Sequence, residues 1–188
     1  MLEWLNAPID PSRTHAIGVA VSWHARLMVL GWGVLAPLAV IVARYFKIMP
    51  GQDWPRELDN QTWWRSHWIG QSIVVGLTVG AVALVMPPNF HAMGLHNWFG
   101  YVMIVGLTLQ VLFGVFRGSK GGPTSPAPDG SERGDHYDMT PWRHAFEALH
   151  KSLGYGLLCL GAVTILLGLW KANAPVWMWL GLTFWWAI

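Results

Sequence analysis

The sequence has a single cysteine, Cys159, and that scarcity removes several chemistries at once. There is no disulfide framework, no C-x-x-C redox pair and no C-x-x-C-H attachment motif. Charge is scarce as well: Asp, Glu, Lys and Arg make up 12% of the 188 residues, about half of the roughly 25% usual in soluble domains. The small net charge of +2 lies in segments between apolar runs, where it serves membrane topology and not nucleic-acid binding. The opening stretch, MLEWLNAPIDPSRTHAIGVAV, lacks a basic start and a short apolar run ending at a cleavage motif, so no removable signal peptide is expected.

Hydrophobic residues make up 53% of the chain, and 14 residues are Trp. The apolar residues fall into long runs without charge: 17 residues between Arg26 and Arg44, 51 between Arg65 and Arg117, 19 between Lys151 and Lys171, and 17 after Lys171. Crossing a bilayer takes about 20 residues, so the 51-residue run holds two spans, with Pro87-Pro88-Asn89 as the turn between them. Helices are expected at 18–47, 62–86, 91–117, 142–170 and 175–188. The last is short, reaching only about 21 Å at 1.5 Å per residue, and is expected to lie partly in the interface. The fold class is therefore an all-α, polytopic membrane helix bundle. An extramembrane segment (1–17) precedes a four-helix core (18–170, with a Gly/Pro/Ser-rich linker at 118–141), and a short C-terminal helix (171–188) follows. No soluble domain is expected.

Basic residues set the orientation. Arg44, Lys47, Arg56 and Arg65 lie around the first connection, and Arg117, Lys120, Arg133 and Arg143 around the third; the other side has Arg13 and Lys171. The positive-inside rule then puts the N-terminus outside, and a bacterial cytoplasmic membrane is the expected location. The Trp-rich helix ends (Trp63, Trp64, Trp68, Trp98, Trp142, Trp170, Trp185 and Trp186) are expected to form interfacial belts.

With this topology, four histidines fall into register. His24 and His96 stand near the starts of helices that enter from outside; His67 and His150 stand near the starts of helices that enter from inside. Helices running the same way bring their early residues to the same depth, so the pairs are His24 with His96 and His67 with His150. A lone intramembrane histidine can simply hydrogen-bond to a neighbouring helix. Four at matched depths, one per helix, point to ligands, and imidazole is a good ligand for haem iron. Two non-covalent b haems, each held by two histidines, would use all four. With the Pro87-Pro88 turn as a ruler, the two pairs are expected to differ in depth by roughly 18 Å. His91 and His144 precede His96 and His150 by five and six residues, which turns them about 140° and 120° from the ligand face. His15 and His136 lie in polar segments and are expected to be solvated.

Small residues accompany these histidines. Gly100 and Gly154 follow His96 and His150 by four residues, and Gly31 follows His24 by seven. They either leave room for a flat macrocycle or let helices pack closely. Gln71 takes the corresponding position after His67. Arg26, two residues after His24, is expected to snorkel outward or to meet an anion such as a haem propionate.

Four motifs in order carry a resemblance to a known family. HARLMVLGWGVLAPLAVIVARYFK (24–47), WWRSHWIGQ (63–71), HNWFGYVMIVGLTLQVLFGVFR (96–117) and HKSLGY (150–155) resemble the haem helices of the cytochrome b561 family, most closely its DOMON-associated branch. The likeness implies that His24, His67, His96 and His150 are the bis-histidine ligands of two haems b, and that the protein carries electrons across a membrane. The pattern departs from the family in having five expected helices where eukaryotic members usually have six. It also has no helix before the first haem helix, no fused DOMON domain, and no match to the basic residues assigned to ascorbate binding.

The expected function is transmembrane electron transfer between redox donors and acceptors, proteins or small molecules of quinone or ascorbate type. Two alternatives stand beside it: a terminal membrane reductase acting on a quinone, ferric iron or monodehydroascorbate, and a haem-free structural subunit of a larger membrane complex.

Overall fold

The computed structural model describes residues 2–51, 62–86, 93–117, 128–129 and 140–188. Among these residues there are four helices long and apolar enough to cross a membrane: α2 (Val19–Tyr45), α3 (Thr62–Ala83), α4 (Leu95–Val115) and α5 (Pro141–Lys171). A short α1 (Glu3–Asn6) precedes them and α6 (Val176–Ala187) follows. The protein is an all-α membrane helix bundle. The Pro87-Pro88-Asn89 turn, His91, His136 and nearly all of the 118–141 linker lie outside the described residues.

The bundle is thin at its centre and apolar on its outside, as a lipid-facing structure must be. Trp32, Ala36, Val74, Met103, Leu157, Ile165 and Leu182 form the buried core, one or two residues from each of α2 to α6. Residues such as Val79, Val105 and Phe184 point outward and stay exposed. Small residues set the helix spacing: a Cβ on Gly70 would stand 3.0 Å from the Ala39 Cβ, and one on Gly161 would stand 3.3 Å from Met103 Cε and 3.4 Å from Trp32 Cε3.

Helix α2 is not uniform. Residues Val29–Leu35 form a π-helical segment, and its cause can be read from Pro37. Proline has no N–H, so the Gly33 carbonyl four residues earlier loses its helical donor, and the ring crowds that turn. Two indoles satisfy this carbonyl instead: Trp185 Nε1 donates to Gly33 O at 2.9 Å and Trp186 Nε1 at 3.1 Å. These two tryptophans therefore correct the expectation of an interfacial belt, since they latch α6 onto the middle of α2. At 12 residues, or about 18 Å, α6 is too short to span the membrane but reaches this depth. Beside the latch, Trp32 Nε1 donates to Thr78 Oγ1 at 3.0 Å, and that hydroxyl donates to Val74 O at 2.7 Å.

The C-terminal end of α5 is sewn to the N-terminal segment. Helix α5 ends on Asn173, which has φ 48°, a left-handed cap that Asn tolerates better than most residues. Its buried side chain accepts from Asp10 N at 3.0 Å and donates to Asp10 O at 3.0 Å and Arg13 O at 2.7 Å. Ile9 and Val176 pair with Ala174 and Ala7 across a single antiparallel bridge. His15, expected to be solvated, is instead tied by Nδ1 to Ala172 O at 2.8 Å. The Asp10 carboxyl is held below its usual range, chiefly by the Ser12 hydroxyl and then by the Ser12 amide and the Arg13 guanidinium, so this turn stays ionised at neutral pH.

Candidate cofactor sites at two histidine pairs

The four intramembrane histidines meet in twos. The rings of His24 and His96 have centroids 6.2 Å apart with planes at 83°; those of His67 and His150 are 6.3 Å apart at 79°. Helices α2 and α4 supply the first pair, and α3 and α5 the second. Each pair thus joins two helices that run in the same direction.

Neighbouring helices aim the rings. His24 Nδ1 reaches Ala81 O of α3 at 2.9 Å, His67 Nδ1 reaches Ala39 O of α2 at 3.1 Å, and His96 Nδ1 reaches Thr164 O of α5 at 3.0 Å. A backbone carbonyl only accepts, so Nδ1 carries the proton in all three and Nε2 keeps its lone pair free for a metal. The Thr164 hydroxyl bonds Leu160 O at 2.7 Å. His150 differs: its Nδ1 is buried without a hydrogen-bond partner among the described residues, Phe146 stacks on it at 5.1 Å and 24°, and Gln110 Nε2 donates to its backbone carbonyl at 2.9 Å.

These contacts also measure depth. His67 and Ala81, which receives His24, are 14 residues apart on α3, so the two pairs lie roughly 21 Å apart along the bundle. That exceeds the 18 Å read from the proline turn by about two residues of helix. One pair stands towards each end of the bundle.

Of the accompanying residues, Gly100 faces open space, whereas a Cβ on Gly31 would touch Leu77 and Val74 and one on Gly154 would stand 2.8 Å from Gln110 Nε2. Gln71 Nε2 points to Ala36 O at a long 3.5 Å. Arg26 is exposed, with its guanidinium 5.2 Å over the Trp23 ring, as an outward-snorkelling arginine would be. His144 is exposed and joins neither pair. Gly168 does pack against the His24–His96 pair: a Cβ there would lie 3.0 Å from His96 Cε1 and 3.2 Å from Nδ1. Its only trace in the sequence is its place four residues after Thr164.

The spacing of each pair fits a shared metal ion. With a metal–imidazole nitrogen bond of about 2 Å and a ring radius of roughly 1.1 Å, two rings on opposite sides of one ion have centroids about 6 Å apart. Two imidazoles alone leave the other coordination positions unfilled, and among the described residues no cluster of three or more His, Cys, Asp or Glu side chains could hold a metal ion. A macrocycle that brings its own equatorial nitrogens matches such a donor set.

Fold and site together define a membrane helix bundle with two pairs of facing histidines. Residues 23–119, just over half of the chain, match the family model described as eukaryotic cytochrome b561. The protein belongs to the cytochrome b561 family, integral membrane proteins of electron transport that bind haem b. No individual curated protein and no solved structure matches the chain. The matched region includes His24, His67 and His96; His150 enters through its contact with His67. Gly168→Val should push the His96 ring off Thr164 O and lower the haem content. Gly156→Val, at a glycine with nothing within 4 Å, should leave it unchanged; both contents can be read from the pyridine haemochrome spectrum of purified protein.

Proposed function

We propose that this protein conducts electrons across the membrane through two b haems, an outer one held by His24 and His96 and an inner one held by His67 and His150. The observation that carries this reading is the presence of two imidazole pairs, each at the spacing for one metal ion, towards opposite ends of the bundle. Haem held by two imidazoles at each pair would supply one-electron chemistry while leaving no ligand position for oxygen or substrate. The remaining work is done by the chain. The Nδ1–carbonyl bonds fix three imidazoles in the ligating tautomer and orientation. The packed middle around Trp32, Met103 and Leu157 excludes water between the two sites.

In this reading Gly100 gives a flat group access to the ligand face, Gly31 and Gly154 let the neighbouring helices pack closely beside the sites, Gln71 lines the inner site, and Arg26 stands at the outer mouth where a propionate would emerge. Residues 18–170 form the haem-binding core and 171–188 an accessory helix that braces it, with the N-terminus on the outer side. Donor and acceptor are redox partners on opposite faces, of quinone or ascorbate type or proteins.

Proteoliposomes test this directly. With a reductant outside and a membrane-impermeant oxidant such as ferricyanide trapped inside, the intact protein should deliver electrons to the lumen, and His24→Ala and His67→Ala should each stop delivery. If haem is reduced from outside while the trapped oxidant stays untouched, the protein is not a conduit. Oxidation of pre-reduced protein by a quinone alone, from one face, would instead favour a terminal reductase.

A further inference from the structure

At the inner end of α5 sits a charged group held only by a long ion pair and a ring contact, with no hydrogen-bond acceptor among the described residues. The Thr140 hydroxyl caps the helix by accepting from Arg143 N at 3.2 Å, and Pro141 occupies the first turn. This start carries the Arg143 side chain inward, where it is only 7% exposed. Its Nε and Nη1 are buried and have no hydrogen-bond acceptor among the described residues. Glu147 is the nearby carboxylate, but its Oε1 is 3.6 Å from Nε, too far for a hydrogen bond, and its Oε2 is engaged by Lys151 Nζ at 2.6 Å.

The guanidinium is also aligned with the inner histidine pair. Arg143 precedes His150 by seven residues, about two turns, which puts both on one face of α5. The Arg143 Cζ lies 5.0 Å over the Phe146 ring, and Phe146 in turn stacks on His150. The result is a continuous Arg143–Phe146–His150 column, running from the helix start to the ligand. Burying charged donors without acceptors is costly, and the planar fork of a guanidinium matches a carboxylate held by two parallel hydrogen bonds.

We propose that Arg143 is the anion clamp of the inner site and binds a carboxylate there. The inference rests on the proposed haem function and extends it. Two sources share this chemistry: a propionate of the inner haem, or the carboxylate of a small molecule arriving from the inner face.

The test loads the purified apoprotein with haem or with haem dimethyl ester, whose carboxylates are blocked, and titrates the haem-loaded protein with malonate while following the inner-haem spectrum. A propionate source predicts that the ester binds the inner site of the wild type at least about tenfold more weakly than haem does. In Arg143→Gln haem should then bind as weakly as the ester, and the ester no more weakly than before. A diffusible source predicts equal binding of haem and ester, with a saturable malonate-induced spectral shift that weakens at least about tenfold in Arg143→Gln. In either case Arg143→Lys should recover only part of the effect, because an ammonium keeps the charge but not the fork. Equal binding of haem and ester together with no response to malonate in the wild type overturns the proposal, whatever the variants do. A preparation with no haem α-band on reduction fails the functional reading first, and separately.

Discussion

On the proposed two-haem reading, replacing His96 by Ala should leave one haem per chain in place of two, and the haem that remains should be the one lost from His67→Ala. Each haem would depend on two rings from different helices, so losing either ring should release it, since among the described residues no other cluster of metal-ligating side chains could take its place. His24→Ala should reproduce the His96→Ala spectrum, and His150→Ala that of His67→Ala, because the ring contacts join those partners. His144→Ala should keep both haems, since that side chain is exposed and joins neither pair. Haem per protein and low-temperature α-band spectra read all of these outcomes. If His24→Ala and His67→Ala lose the same haem, the pairing is wrong.

Gly106→Val is expected to act on the whole bundle. Gly106 is buried where α4 meets α5, and a Cβ there would run into the Leu157 side chain. Leu157 is itself 4% exposed and part of the core, so it has little room to turn away. Overpacking of this kind costs about 1–3 kcal/mol. Here it also forces apart the helices that carry His96 and His150, one ligand from each pair. Both haems should therefore be released together at a lower temperature, in contrast to the single loss from a histidine variant. Gly100→Val is the counterpart: with open space around it, it should leave the apoprotein's thermal unfolding unchanged and weaken the outer haem alone. Parallel melts of protein and haem absorbance separate the two behaviours, and a Gly106→Val protein that melts like the wild type would show that α4 and α5 are not held as described.

The spans were legible in the sequence because charge is costly in hydrocarbon, so the uncharged runs after Arg26, Arg65 and Lys151 mark where the chain lies buried in the bilayer. The histidine pairing was legible for a related reason: alternating spans fix which early residues share a depth, and the rings of His24 and His96 do meet. What the sequence concealed depends on rotation and register between helices, which apolar runs without a polar face leave open. Trp185 and Trp186 read as belt residues because nothing in their own helix announces that Pro37 has freed the Gly33 carbonyl on another. Arg143 read as one more basic residue of a loop, until the Thr140 cap and the helix start turned it inward. Gly168 was passed over because its importance lies in the His96 ring that packs on it from α4.

The central claim is that two haems stand towards opposite faces, each between two histidines, and the most direct measurement is the haem-to-protein ratio of the purified wild type with its low-temperature reduced spectrum. Two haems per chain, each lost separately when its own histidine pair is broken, is the predicted result. A single haem per chain, or none, would contradict the account.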